Sequence, residues 1–283
     1  MCLVFLILVS LVAKGIEGIS FGQGIAVGNV DSKEITDASG LAASRTHQNV
    51  LYTHNDDGDA ERVFAINATD ASVIAVFGIS GADNYDWEDI AVGPCPGNKS
   101  CMYILDAGES SSRKVNMVYM VPEPGALRDQ TLTVAAKLPF KWSEIDGQTI
   151  MVDNHGEVYV ASNVLGGKGL LAHLPSSGWG SATPVNATSS VHINITTRHH
   201  DPTSGDISSN GKELILRAKE NVFYWSVANN DYLGAVTCPP VELPQHQEYV
   251  GEAICWDRTG TNYYTLSEGL FSTLYKFVRV PTG

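Results

Sequence analysis

Along this 283-residue chain, apolar and polar positions alternate in short runs of four to six residues, each bounded by Gly, Asn, Asp or Ser. Alternation of that period puts one set of side chains on each face of an extended strand, so the pattern predicts β-strands joined by tight turns. The runs are ordered. A phrase recurs five times, as Ser39-Gly-Leu-Ala-Ala-Ser44, Glu88-Asp-Ile-Ala-Val-Gly93, Gln148-Thr-Ile-Met-Val-Asp153, Gly205-Asp-Ile-Ser-Ser-Asn210 and Glu252-Ala-Ile-Cys-Trp-Asp257, with starts 47 to 60 residues apart. Each copy is followed by a turn and a second strand, such as Leu51-Tyr-Thr-His54 or Met102-Tyr-Ile-Leu105, then by a third, such as Arg62-Val-Phe-Ala-Ile66. Fourth strands follow in the first four copies, Val73-Ile-Ala-Val-Phe77 in the first and Leu132-Thr-Val-Ala135 in the second.

Self-similarity at this period, built from short strands, predicts an all-β protein, a β-propeller with one blade per repeat. Five blades is the simplest count, although the two longest repeats leave room for a sixth. The last copy runs out after its third strand, and Gly24-Ile-Ala-Val-Gly-Asn-Val30 near the N-terminus supplies the missing fourth. Closing the ring in this way leaves no open edge between first and last blade. No linker or second domain interrupts residues 19–283, which read as one propeller domain.

Composition changes this picture in two respects. The net charge is −13 and the pI is near 4.9, which excludes nucleic acid as a partner, because backbone binding needs clustered Lys and Arg. The first 18 residues read as a signal peptide: Met1 to Ala13 are almost wholly apolar, small residues follow at Gly15 and Gly18, and the run is too short to span a bilayer. No other stretch is long and apolar enough to be a membrane span. An extracellular destination agrees with the four N-x-S/T sequons at Asn67, Asn98, Asn186 and Asn194, which predict glycosylation. It also agrees with four cysteines beyond Cys2. Cys95 and Cys101 bracket a short loop and are expected to pair. Cys238 and Cys255 are then expected to tie the fourth blade to the fifth.

Candidate chemistry follows from the propeller. The first strand of every blade lines the central channel, so the residues heading the five copies converge on one axis. They are Ser39, Glu88, Gln148, Asp206 with Gly205, and Glu252. Carboxylates gathered in a narrow channel repel unless neutralised, and a hard cation with oxygen ligands, calcium above all, would neutralise them. The ends of the second strands form a second ring on the same rim, in which Asn55, Asp56, Asp106, Arg217 and Glu268 are candidate ligand-binding residues. The histidines His54, His199, His200 and His246 fall near that rim and could act as bases, but no spacing assigns a catalytic residue. Nucleophile elbow, phosphate loop and zinc-protease motifs are all missing from the sequence.

The phrases Ser39-Gly-Leu-Ala42, Asp86-Trp-Glu-Asp-Ile-Ala91, Ile104-Leu-Asp-Ala-Gly108, Asp206-Ile-Ser208, Gly251-Glu-Ala-Ile254 and Ser267-Glu-Gly269 resemble a largely uncharacterised family of secreted β-propellers. The resemblance covers nearly all of the mature chain and implies the same scaffold. It departs from the family at Gln148, where relatives carry a glutamate, and at Asp106-Ala-Gly-Glu109, where they carry Asp-Gly-Asp-Asn. The ring of Ser and Glu heads is also similar to that of the calcium-activated apyrases, in architecture alone.

Three functions fit these features. In the first, a secreted propeller with a central calcium binds an extracellular glycan, peptide or small anionic ligand through its rim, with Trp142, Trp179 and Tyr249 as stacking surfaces. In the second, calcium supports hydrolysis of a phosphate ester or nucleotide. The third is a structural role in an acidic matrix.

Overall fold

The computed structural model describes residues 19–109, 115–248 and 250–281. They form a five-bladed β-propeller. The expected signal segment lies outside the described residues, as does Tyr249. Among the described residues, no helix is long and apolar enough to cross a membrane.

The four main strands of each blade are antiparallel and, apart from the outer strand of blade 5, run outward from the channel in chain order; in blades 1 and 2 a short fifth strand pairs in parallel outside them, Val185–Asn186 in blade 2. Blade 1 comprises Ala38–Ala43, Val50–Asn55, Arg62–Asn67 and Val73–Ser80. Blade 2 comprises Trp87–Cys95, Lys99–Asp106, Asn116–Pro122 and Ala136–Lys141. Blade 3 comprises Gly147–Val152, Val158–Ser162, Leu170–Leu174 and Ser189–His192. Blade 4 comprises Ser204–Ile207, Glu213–Arg217, Val222–Ser226 and Val241–Leu243, with a one-turn helix at Tyr232–Val236 before its last strand. Blade 5 comprises Gly251–Trp256, Tyr263–Ser267 and Thr273–Phe277, and its outer strand is Ile25–Asn29 from the N-terminus, antiparallel to Thr273–Phe277. The expected closure of the ring is therefore present, and no sixth blade forms.

Burial follows from this layering. The inner strands of blades 1 and 5 are buried at every residue, because a neighbouring blade covers each face. The strand Val73–Ser80 has every second residue from Ala75 to Ile79 buried, as expected of a strand with one covered and one more solvated face. Apolar side chains collect in five clusters, one between each pair of neighbouring blades. The largest aromatics sit there, with Trp87 and Tyr52 between blades 1 and 2 and Trp256 and Tyr263 between blades 4 and 5.

Two expectations need correction. Gln130–Thr133, read from Leu132-Thr-Val-Ala135 as the fourth strand of blade 2, instead lies parallel to Val73–Ser80 as a fifth strand of blade 1. The blade 2 position goes to Ala136–Lys141, because its alternate residues Leu138 and Phe140 are fully buried against blade 3 while Leu132 stays only partly buried. The second expected disulfide is not formed either. Cys95 and Cys101 are joined, but Cys255 is buried in the apolar cluster between blades 5 and 1, and Cys238 follows the short helix of blade 4. Neighbouring blades hold Cys255 by packing alone, and burial pushes its thiol pKa well up.

Candidate metal centre

The strand register explains how the head residues come to face the channel. In four inner strands the pairing with the second strand skips one residue. The skips fall between Ala38 and Gly40, Trp87 and Asp89, Gly147 and Thr149, and Gly251 and Ala253. The extra residues are Ser39, Glu88, Gln148 and Glu252, so each of these four sequence-predicted heads is a β-bulge. A bulge bends the strand and re-aims one side chain, and here it does so at the same rim four times.

Blade 4 departs from the expected ring. Its inner strand has no bulge, and Ser204 pairs with Arg217 one residue after the Thr203 amide donates to the Arg217 carbonyl at 2.9 Å. The Thr203 hydroxyl donates to the carbonyl of Glu252, the head of the next blade, at 3.0 Å. The Ser39 hydroxyl does the same to the carbonyl of Glu88. Thr203 is therefore the fifth head. Asp206 lies deeper in the channel wall, where its carboxylate accepts from the Trp256 amide at 2.9 Å, and burial raises its pKa to about 6.

At the mouth of the channel marked by the heads, here the upper mouth, Asp56, Asp86 and Glu88 each offer an oxygen, all within 4.8 Å of one another. The cluster spans blades 1 and 2. Asp56 follows the second strand of blade 1, Glu88 is the bulge of blade 2, and Asp86 stands two residues before it. Gly108 closes over the cluster, and a Cβ there would stand 1.7 Å from Glu88 Oε1 and 2.6 Å from Asp86 Cγ. Gln148 donates its amide to Glu88 Oε2 at 2.5 Å, which fixes the carboxylate. One oxygen of Asp56, Oδ1, is buried with no hydrogen-bond donor. Burial first, then the charge of Asp86, pushes the Asp56 carboxyl up to about 8. Burial, then Asp56, Asp146, Asp86 and Glu252, pushes Glu88 well above the usual range. An acidic cluster that could bind a metal ion is thus present, and in its absence protons supply the missing positive charge.

The remaining predicted residues have other tasks. Arg217 is fully buried, donating to Glu248 and, at 3.1 Å, to the Ala253 carbonyl, so it serves as a counter-ion between blades 4 and 5. Asn55 accepts from the Thr36 and Asp37 amides and donates to Glu34 and Asp59, so it clips the entry into blade 1. Asp106 accepts from the Asp86 amide at 3.1 Å and thereby holds the cluster from behind. Glu268 shares a hydrogen bond with Asp37, and its pKa rises to about 7, as does that of Glu252, in both cases chiefly through burial. None of the histidines adjoins the cluster: His54 is buried and its pKa is pushed down to about 4, His199 lies 3.3 Å from Glu220, His200 is exposed, and His246 stacks on Tyr275. Trp142 and Trp179 pack partly buried against the cluster between blades 2 and 3, where Trp179 meets Tyr103 edge-on.

Asp86 and Asp146 escaped the sequence reading, although a signal for them exists. An aspartate stands two residues before the head in four blades, at Asp37, Asp86, Asp146 and Asp201, and only blade 5 breaks the pattern, with Val250.

Below the heads, Asp89 plugs the channel. Its carboxylate accepts from the Ile90 and Ile150 amides at 2.9 and 3.1 Å, from the Gly205 amide at 3.4 Å and from the Ser204 hydroxyl at 3.1 Å. One side chain on blade 2 thus holds blades 3 and 4.

No protein-family model matches the chain, and no curated protein matches it. Among solved structures it is similar to the PQQ-bound form of an aldose sugar dehydrogenase from Streptomyces coelicolor, with 8% identity and a TM-score of 0.50 over 93% of this chain and 99% of that one. It is also similar to the major allergen Mala s 1 of Malassezia sympodialis, with 11% identity and a TM-score of 0.55 over 89% of this chain and 95% of that one. At such identities the likeness is one of fold: the chain is a β-propeller built like theirs.

Proposed function

We propose that the protein is a secreted, calcium-dependent binding module, in which one cation at the upper mouth completes its coordination with oxygens of an extracellular glycan or peptide. The observation that carries this reading is the meeting of Asp56, Asp86 and Glu88 within 4.8 Å. The donor set is all oxygen, which suits a hard cation, and the cluster contains no His or Cys that would favour zinc or copper. Three carboxylates leave the shell incomplete by count, since calcium takes six to eight oxygens. The disulfide and the placement of the sequons support export. Asn98, Asn186 and Asn194 are exposed and Asn67 is half-buried at a turn. The first 18 residues would be its signal peptide.

Calorimetric titration of the purified mature chain tests the cation site. Saturable calcium binding, weakened at least tenfold by Glu88→Gln and not matched by magnesium, is expected. The absence of calcium binding would remove the foundation of this reading. A glycan array probed with and without EDTA then tests the partner, and signals indifferent to EDTA would separate ligand binding from the cation.

A second reading has one observation in its favour. Asp56 and Glu252 titrate near neutrality beside the cluster, as a general base or acid must. Calcium-dependent turnover of a phosphate-ester panel, lost in Glu252→Gln, would establish it.

A further inference from the structure

The opposite end of the channel gathers basic side chains. There the inner strands end in tight turns, and a cavity of about 260 Å³ opens between blades 1, 2, 3 and 4. Its polar lining includes Arg45, Lys99, Ser100, Asn154, Ser208 and Ser209, together with one carboxylate, Asp153. Arg258, in the corresponding turn of blade 5, borders it: the Arg45 Nη1 donates to the Arg258 carbonyl at 3.3 Å, and the Arg258 Nε donates to the Arg45 carbonyl at 3.0 Å. This clasp holds each guanidinium against the backbone of the other arginine.

Among the described residues neither arginine, nor Lys99, forms an ion pair, although the chain as a whole carries 31 acids against 18 Lys and Arg. The nearby carboxylates are engaged elsewhere. Asp257 accepts from the Thr259 and Thr261 amides and from Asn262, and Asp153 from the His155 and Glu157 amides. Glu123 accepts from the Arg45 amide and from the hydroxyls of Ser44, Thr46 and Tyr52. Asp206 accepts from the Trp256 amide and feels the charge of Arg45, which lowers its pKa against the effect of burial, but the two form no ion pair. Like charges held together without a counter-ion repel, and an anion between them removes that cost. Arginine forks match the oxygens of a tetrahedral anion two at a time, and lysine adds a point charge.

We propose that the lower mouth of the channel is a binding site for a tetrahedral oxyanion, sulfate or phosphate, either free or as the ester group of a larger ligand. Arg45 and Lys99, which both line the cavity, bind it, Arg258 beside Arg45 adds a second guanidinium, and the Ser209 hydroxyl can donate to its oxygens, whereas the Ser208 hydroxyl is committed to Asn210 Oδ1. The proposal is independent of the cation site, since the Asp89 plug separates the two mouths.

The test is calorimetric titration of the full mature chain with sodium sulfate, sodium phosphate and a sulfated monosaccharide, at an ionic strength held constant with sodium chloride and in EDTA, so that no anion binds through calcium. Saturable binding is expected, weakened at least tenfold in Arg45→Gln and in Lys99→Gln and unchanged in Glu88→Gln. Lys99 is exposed, so its variant folds as the parent does and isolates the charge. Tighter binding of the sulfated sugar than of sulfate identifies an ester as the ligand, and the reverse order identifies the free ion. No saturable binding by the parent, an unchanged affinity in both lower-mouth variants, or its loss in Glu88→Gln would overturn the proposal.

Discussion

At the scale of single residues, the upper mouth is governed by protons. Asp56 titrates in the folded protein at about 8, far above an unfolded aspartate, and Glu252 at about 7. A carboxyl whose folded pKa is raised binds more protons folded than unfolded between the two values, so its contribution to stability is full at acid pH and is lost as pH rises through the folded pKa. The metal-free protein should therefore melt at a lower temperature at pH 8.5 than at pH 5.5. Calcium at the proposed site would bind the deprotonated cluster, so its stabilising effect should grow over the same interval. Melting curves with EDTA and with calcium at both pH values check this. A metal-free melting temperature that does not fall between them would show that the cluster is not protonated in the absence of a cation. At this scale the sequence identified Glu88 and Asp56 as acids on one rim, but not that Gly108 must be a glycine: the clash of its Cβ with Glu88 exists only once two blades meet.

At the scale of strands, the central device is the plug. Substituting Asp89 with Ala removes the acceptor for the Ile150 and Gly205 amides and leaves both buried without partners, at about 1 to 3 kcal/mol each. Burial pushes the Asp89 carboxyl up while its donors hold it down. Asp89→Ala should therefore cost about 3 to 5 kcal/mol in urea unfolding, whereas Lys99→Gln at the lower mouth should leave stability unchanged within about 0.5 kcal/mol. An Asp89→Ala cost below 1 kcal/mol would show that the plug does not hold the blades. Strand existence and order were legible because alternation and turn residues are local. Register was not. Matching Ile207 to Ile90, Ile150 and Ile254 makes Gly205 and Asp206 the fourth head. The structure moves that alignment by two residues, because the strand of blade 4 lacks the bulge that the other four possess. A shift of two keeps every side chain on its own face, so the hydrophobic pattern cannot detect it.

At the scale of the whole molecule, the ring is closed by its own N-terminus. Ile25–Asn29 completes blade 5, and Phe21 just before it is buried between Trp256 and Tyr263, with ring centroids 6.1 and 4.9 Å away. If this segment belongs to the cooperative unit, Phe21→Ala should destabilise the protein by about 3 to 5 kcal/mol with an unchanged urea m-value, as for a core aromatic. A cost below 1 kcal/mol would mean that the closing strand frays independently of the rest.

The sequence by itself determined the class of fold, the five blades, the closing strand and the Cys95–Cys101 bond, since each of these depends on periodicity or on residues close in the chain. It also named most of the acids that reach the upper mouth. Only the tertiary structure decided which of them meet, because Asp56 and Glu88 lie on different blades and their separation is set by packing between sheets. It alone assigned Thr203 its place, turned Arg217 and Asn55 into supports, kept Cys238 and Cys255 apart, and brought Arg45 to Arg258 across more than two hundred residues of sequence. Each of those outcomes rests on how neighbouring blades pack and on the bulge that re-aims one side chain per strand, and neither is written in the local alternation of polar and apolar residues.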